Sequence, residues 1–131
     1  MDLKIDHIGY FVRKIEKARV QFEKIGFKAC SDLVSDDYRK IDILFMEKDG
    51  YVVELVSPTD RTTKIASLAK RVGNSPYHIC YRCNNLTETI SELENEGYVI
   101  CDERHSAIAF DNREVCFLIH PYLGMVELLE E

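Results

Sequence analysis

No apolar run in these 131 residues approaches the ~20 consecutive positions that a helical membrane span needs. Basic residues are the minority: 17 Lys and Arg against 23 Asp and Glu leave a net charge of −6. That is the wrong sign for a face that neutralises nucleic-acid phosphates or an anionic membrane, although local basic residues can still hold an anionic substrate. The opening MDLKIDHIGY lacks the apolar stretch and cleavage site of a secretion signal, so the expected compartment is the cytoplasm. An even set of cysteines is also missing. Cys30, Cys80, Cys83, Cys101 and Cys116 make five, which reads as reduced thiols and excludes a disulfide framework. Cys80 and Cys83 form a C-x-x-C without a second pair. Residues three apart in a strand point to opposite faces, so core packing is expected of them.

What is present is a composition 46% hydrophobic and 31% charged, enough to bury a core over one domain, 1–131, with no case for disorder. Residues 3–12 read as a strand from their β-branched and aromatic content. Ile15, Ala18, Phe22 and Ile25 then recur at helical spacing, with Gly26 closing the helix. Residues 27–34 suggest a further strand. Residues 41–46 and 51–56 form two more, joined by EKDG, whose Asp-Gly signals a hairpin. The pattern βαβββ then recurs. It has a strand at 77–82, a helix marked by Leu86, Ile90 and Leu93 behind an Asn85 cap, Gly97 closing that helix, and a hairpin of 115–119 with 125–129. Module one is 1–57 and module two 77–131. Between them, over 58–76, Ile65, Leu68, Ala69 and Val72 mark a short connector helix ended by Gly73 and Pro76.

The register of the repeat is close. His7 and His78, Gly26 and Gly97, Phe27 and Tyr98, and Cys30 and Cys101 are each 71 residues apart, while Glu54 and Glu127 are 73 apart. Alternate strand residues share a face, so Glu54 lies with Val52 and Val56, Glu127 with Met125 and Leu129, and His78 with Cys80 and Arg82. Both faces of these strands are largely apolar and need covering. A lone strand histidine is more often a hydrogen-bonded core residue, and His105 and His120, which have no repeat partners, read as loop residues. Two histidines and two glutamates at equivalent points are different, because a buried carboxylate is costly unless paired or metal-bound. His7, Glu54, His78 and Glu127 therefore read as ligands of one divalent ion. Imidazole and carboxylate suit Ni²⁺, Co²⁺, Zn²⁺ or Mn²⁺. Without thiolates a closed structural zinc site is not expected, and open positions point to catalysis.

D-H-I-G near the start, V-E-L before Ser-Pro, Y-H-I-C opening the second module and V-E-L-L-E at the end resemble the vicinal oxygen chelate family over nearly the whole chain. The resemblance implies an α+β fold, two βαβββ modules forming a cupped eight-stranded mixed sheet around the metal, and a homodimer. It is similar to glyoxalase I, which implies a lactoylglutathione lyase-type enzyme holding Ni²⁺ or Co²⁺ by preference and Zn²⁺ as the third candidate. Such an enzyme isomerises a 2-oxoaldehyde–thiol hemithioacetal through a metal-bound enediolate, with Glu127 as base and Glu54 serving the opposite face. Glutathione-using members carry Arg and Asn four residues beyond the first two ligands, where this chain has Phe11 and Pro58. ELVSP and NREVCFLIHP look closer to methylmalonyl-CoA epimerase, which implies an acyl-CoA substrate and a second acid/base on the 41–46 strand, nearest Asp42. Arg82 and Arg113 are candidate anchors for a substrate anion. The plainer readings are a solvated edge residue for Asp42 and surface charges for the arginines. A small-molecule binding protein, as in antibiotic resistance, is the third reading; it has no need of two inward glutamates.

Overall fold

A computed structural model describes residues 1–131. In chain order the elements are β1 (Lys4–Phe11), α1 (Ile15–Lys24), β2 (Lys28–Ala29), β3 (Val34–Asp36), β4 (Ile41–Lys48), β5 (Tyr51–Pro58), α2 (Lys64–Val72), β6 (Ser75–Cys83), α3 (Leu86–Asn95), β7 (Val99–Ala107), β8 (Arg113–His120) and β9 (Gly124–Glu130). A 3-10 turn spans Ile108–Phe110. The class is α+β, as expected. The chain divides into two compact units, one of His7–Tyr77 and one of Met1–Asp6 with His78–Glu131. No helix is long and apolar enough to cross a membrane.

In the unit His7–Tyr77 the strand order is β2-β4-β5-β1, with β3 also on β4. β1 runs parallel to β5 and the remaining pairs are antiparallel. Leu44, Met46, Val53 and Leu55 pack with Val12 and Ile15, and Ala18 and Phe22 of α1 lie against them. The opposite face is buried as well, through His7, Phe11, Ile41, Ile43, Glu54 and Val56. Burial on both faces is why these strands read as nearly continuous apolar runs. The β4–β5 turn places Asp49 and Gly50 at φ 54° and 83°, the two positive values of the turn that Asp-Gly favours.

In the other unit the order is β6-β9-β8-β7, with β6 parallel to β9. Leu86, Ile90 and Leu93 of α3 pack on Cys83, Cys116, Leu118, Val126 and Leu128. Cys83 belongs to this cluster and Cys80 is buried on the other face of β6, so the two C-x-x-C thiols point to opposite sides, as expected. α3 starts at Asn85, whose side chain accepts from Glu88 N at 3.0 Å. Both repeat helices close alike: Gly26 N donates to Glu23 O and Phe27 N to Phe22 O, while Gly97 N donates to Glu94 O and Tyr98 N to Leu93 O. This paired bond pattern with a left-handed glycine is the Schellman motif.

The strand expected near 27–34 is broken into β2 and β3, which brings the strands to nine. The cause is Ser31, whose hydroxyl accepts from Phe45 N at 3.0 Å and so takes a ladder position that a backbone carbonyl would otherwise fill. The equivalent point in the second unit is also irregular, for β7 shifts register around Asp102, but it stays one strand. The connector helix α2 is capped by Thr63, which accepts from Ala66 N at 3.2 Å. Gly73 ends it at φ 76°. Pro76 does not: it lies inside β6, near the strand start where a missing N–H is tolerated. His105 and His120 are strand residues and not loop residues, in β7 and β8. His120 packs on Tyr98 with ring centroids 4.7 Å apart.

Candidate functional site

In the unit His7–Tyr77, β1 and β5 run side by side with Gly9 opposite Glu54. His7, two residues before Gly9, therefore shares the glutamate's face. Its Nε2 lies 3.4 Å from Glu54 Oε1, and the two residues are 1% and 4% exposed. In the other unit Cys80 of β6 stands opposite Glu127 of β9. His78 Nε2 lies 3.1 Å from Glu127 Oε1, at 4% and 3% exposure. The structure thus brings His7 to Glu54 and His78 to Glu127 by the same construction. A small residue, Gly9 or Cys80, sits beside each carboxylate and leaves it room.

An aromatic ring completes each pair. Phe45 is the cross-strand partner of Glu54 and meets the His7 ring edge-on, centroids 5.6 Å apart. Phe117 is the partner of Glu127 and meets His78 edge-on at 5.2 Å. Edge-to-face contact orients the imidazole and removes water from beside it. Neither phenylalanine was singled out from sequence. The signal was there: Asp42 to Glu114 and Phe45 to Phe117 share an offset of 72, between the 71 of the histidines and the 73 of the glutamates.

Of the candidate substrate contacts, Asp42 lies on the wrong face. It shares the side of Leu44 and Met46, opposite Phe45 and Glu54, and accepts from Ser35 Oγ at 2.8 Å. An acid/base role toward the Glu54 side is corrected on that ground. Arg82 Nε is paired with Asp6 Oδ1 at 3.1 Å and its Nη1 lies 3.6 Å from Glu131 Oε1. Arg113 is exposed, with Nε donating to Phe110 O at 3.1 Å. Both fit the plainer reading of charges held by their own neighbourhood.

The donor chemistry fits a metal. His7 with Glu54 in one unit, and His78 with Glu127 in the other, each offer an imidazole nitrogen and a carboxylate oxygen, donors of the type that suits a divalent ion. Buried carboxylates are otherwise disfavoured by several kcal/mol each.

The model of the glyoxalase/bleomycin resistance protein/dioxygenase superfamily matches residues 6–117. The chain belongs to this superfamily. Methylmalonyl-CoA epimerase, mitochondrial, of Homo sapiens is 23% identical over 94 residues, 71% of this chain and 53% of the relative. The chain therefore spans about half the length of that enzyme. Hypothetical protein BH1468 of Bacillus halodurans superposes with a TM-score of 0.84 at 23% identity, over 100% of this chain and 96% of that one. Methylmalonyl-CoA epimerase of Mycobacterium tuberculosis gives 0.80 at 21%, over 96% and 86%. At these identities the structural likenesses show a shared fold and nothing further.

Proposed function

We propose that this superfamily member is a metal-dependent isomerase of the methylmalonyl-CoA epimerase type, moving a proton at the carbon beside a thioester carbonyl. The observation that carries the reading is the buried carboxylate in each unit, Glu54 and Glu127, each beside an imidazole. Inverting a carbon centre takes a proton from one face and returns one to the other, which asks for two such groups. Likeness to the human epimerase supports an acyl-CoA small-molecule substrate. The glyoxalase I-type lyase, first in order on sequence, moves behind it. Phe11 and Pro58 have no side-chain donor for the glutathione carboxylates, and two of the three similar proteins named above are methylmalonyl-CoA epimerases.

His7, Glu54, His78 and Glu127 would hold one divalent ion, Ni²⁺ or Co²⁺ by preference and Zn²⁺ third. When bound, such an ion draws electron density from the carbonyl and stabilises charge developing on its oxygen. Glu127 takes the proton: the C–H bond breaks, an O–H bond forms on the carboxylate, and the electron pair moves to the carbonyl oxygen. Glu54, protonated and therefore not a ligand at that moment, returns a proton to the same carbon from the other side, and exchange with solvent resets both groups. Phe45 and Phe117 hold the two imidazole rings in orientation. A homodimer is proposed on the same family grounds.

Deuterium incorporation tests this. In D₂O with Ni²⁺, Co²⁺ or Zn²⁺, NMR is expected to show exchange at the carbon beside the carbonyl of methylmalonyl-CoA and none on the methylglyoxal–glutathione adduct. Glu127→Gln should lower turnover at least ~100-fold while weakening metal binding only in part. Exchange with the adduct alone restores the lyase reading; exchange with neither substrate under any of the ions ends both.

A further inference from the structure

Phe11 and Pro58 meet at one cleft. Each lies four residues beyond a histidine or glutamate of the first pair, on the same face of its strand and ~13 Å further along it. Together with Val12, Ala66 and Ala69 they give an apolar floor to a cleft of about 670 Å³ within the unit His7–Tyr77, and Arg13, Arg61 and Lys70 line it as well. Three cations at one cleft stand out in a chain of net charge −6. The single carboxylate of the lining, Asp60, is committed to the local turn, accepting from Thr62 N at 2.8 Å and Thr62 Oγ1 at 2.6 Å. Other arginines are already spent on carboxylates: Arg39 on Asp36, Arg82 on Asp6 and Arg104 on Glu114, each at 3.1 Å.

The backbone at Arg13 is fixed from two sides. Its N–H donates to Asn74 Oδ1 at 2.8 Å, and Ser57 Oγ donates to its carbonyl at 3.0 Å. Arg13 also lines a second cleft of about 520 Å³, shared with Lys14 and Lys17, so the basic lining continues around the start of α1. An apolar floor leading to a basic rim suits an extended arm that ends in phosphates, because clustered Lys and Arg bind phosphate as charge-assisted donors.

We propose that this cleft binds the phosphorylated end of a thiol carrier, and that Arg13, Arg61 and Lys70 set the preference for it over carboxylate-bearing thiols. The inference rests on the epimerase reading for its thioester, but its test does not need turnover. Calorimetric titration of the metal-free protein with coenzyme A, pantetheine and glutathione is the experiment. Coenzyme A is expected to bind at least ~10-fold tighter than either of the others, with affinity falling as salt rises. Arg61→Ala and Lys70→Ala, both at exposed positions, should each weaken coenzyme A several-fold and leave pantetheine unchanged. Equal affinity for coenzyme A and pantetheine, or no effect of either substitution, overturns the proposal. The two readings can fail apart. Cleft-dependent binding without proton exchange removes only the epimerase reading, whereas equal exchange on coenzyme A and pantetheine thioesters removes only the cleft.

Discussion

At the scale of single residues, the unit of construction is a triplet: a histidine, the glutamate it faces, and the phenylalanine across the strand from that glutamate. The histidines and glutamates were legible because buried charge in an apolar strand is unusual. The phenylalanines were not, because an aromatic in an apolar strand is ordinary until the repeat is aligned at the offset of their own strands. Directly before Phe117 lies Cys116, fully buried, whose Sγ donates to Asp102 O at 3.5 Å. Burial, and then the nearby Glu103 and Asp102 carboxylates, push its thiol up to about 12 from an ordinary 9.0. The thiol stays protonated in the folded chain where the unfolded chain would lose the proton, so the folded state binds more protons across that interval. This stabilisation is complete below pH 9 and is lost as pH rises toward about 12. Urea midpoints are expected to fall over that range, and Cys116→Ala should flatten the fall; an identical slope in the variant would count against Cys116 as its source.

At the scale of elements, the helices and hairpins were legible from spacing and turn chemistry, since their signals are local. Two features were not. The break between β2 and β3 depends on Ser31 reaching a partner 14 residues away, which no local pattern carries. The face taken by Asp42 follows from the register of β4 on β5, where Phe45 meets Glu54; a nearest-match argument along the chain cannot supply it. The helix ends yield a prediction of their own. Gly26 and Gly97 sit at φ 105° and 94°, where an L side chain is strained, so alanine at either should cost about 1 kcal/mol, or roughly 3–6 °C in melting temperature. The two should cost about the same, because the positive φ is the shared cause. A Cβ at 26 meets Lys48 Cε at 2.7 Å, but that is the far end of a flexible, part-exposed side chain that can swing aside, and one at 97 comes no closer than 3.6 Å to His120 Nε2. Calorimetry checks both, and a Gly26→Ala or Gly97→Ala protein that melts with the parent would count against the strain at that helix end.

For the whole molecule, the α+β class was readable from the repeat and the superfamily from the resemblance of the motifs around the four donors, while the handle of the substrate was not. The reason is physical: proton-transfer chemistry is set by a few donors of marked type, but a binding cleft is assembled from common residues such as Arg61, Lys70 and Pro58 that acquire meaning only together. If the four donors hold an ion, that ion binds the folded chain alone and must stabilise it. At 100 times the dissociation constant the gain is about 2.7 kcal/mol, which for this size raises the melting temperature by roughly 8–16 °C. Chelation should reverse the rise and Glu54→Gln should diminish it. No shift with Ni²⁺, Co²⁺, Zn²⁺ or Mn²⁺ removes the metal reading. The three offsets of the repeat differ in a way that bears on the β8–β9 turn. They grow from 71 at the histidines to 72 at the phenylalanines and 73 at the glutamates, so one extra residue lies before β8 and another at the β8–β9 turn. That turn exposes Tyr122 at 95%, while Phe117 and Glu127 remain locked opposite each other on the ladder. Chain length at the tip is thus decoupled from the position of the donors, which makes the β8–β9 turn the place to graft a tag, a fluorophore or a short epitope onto this protein.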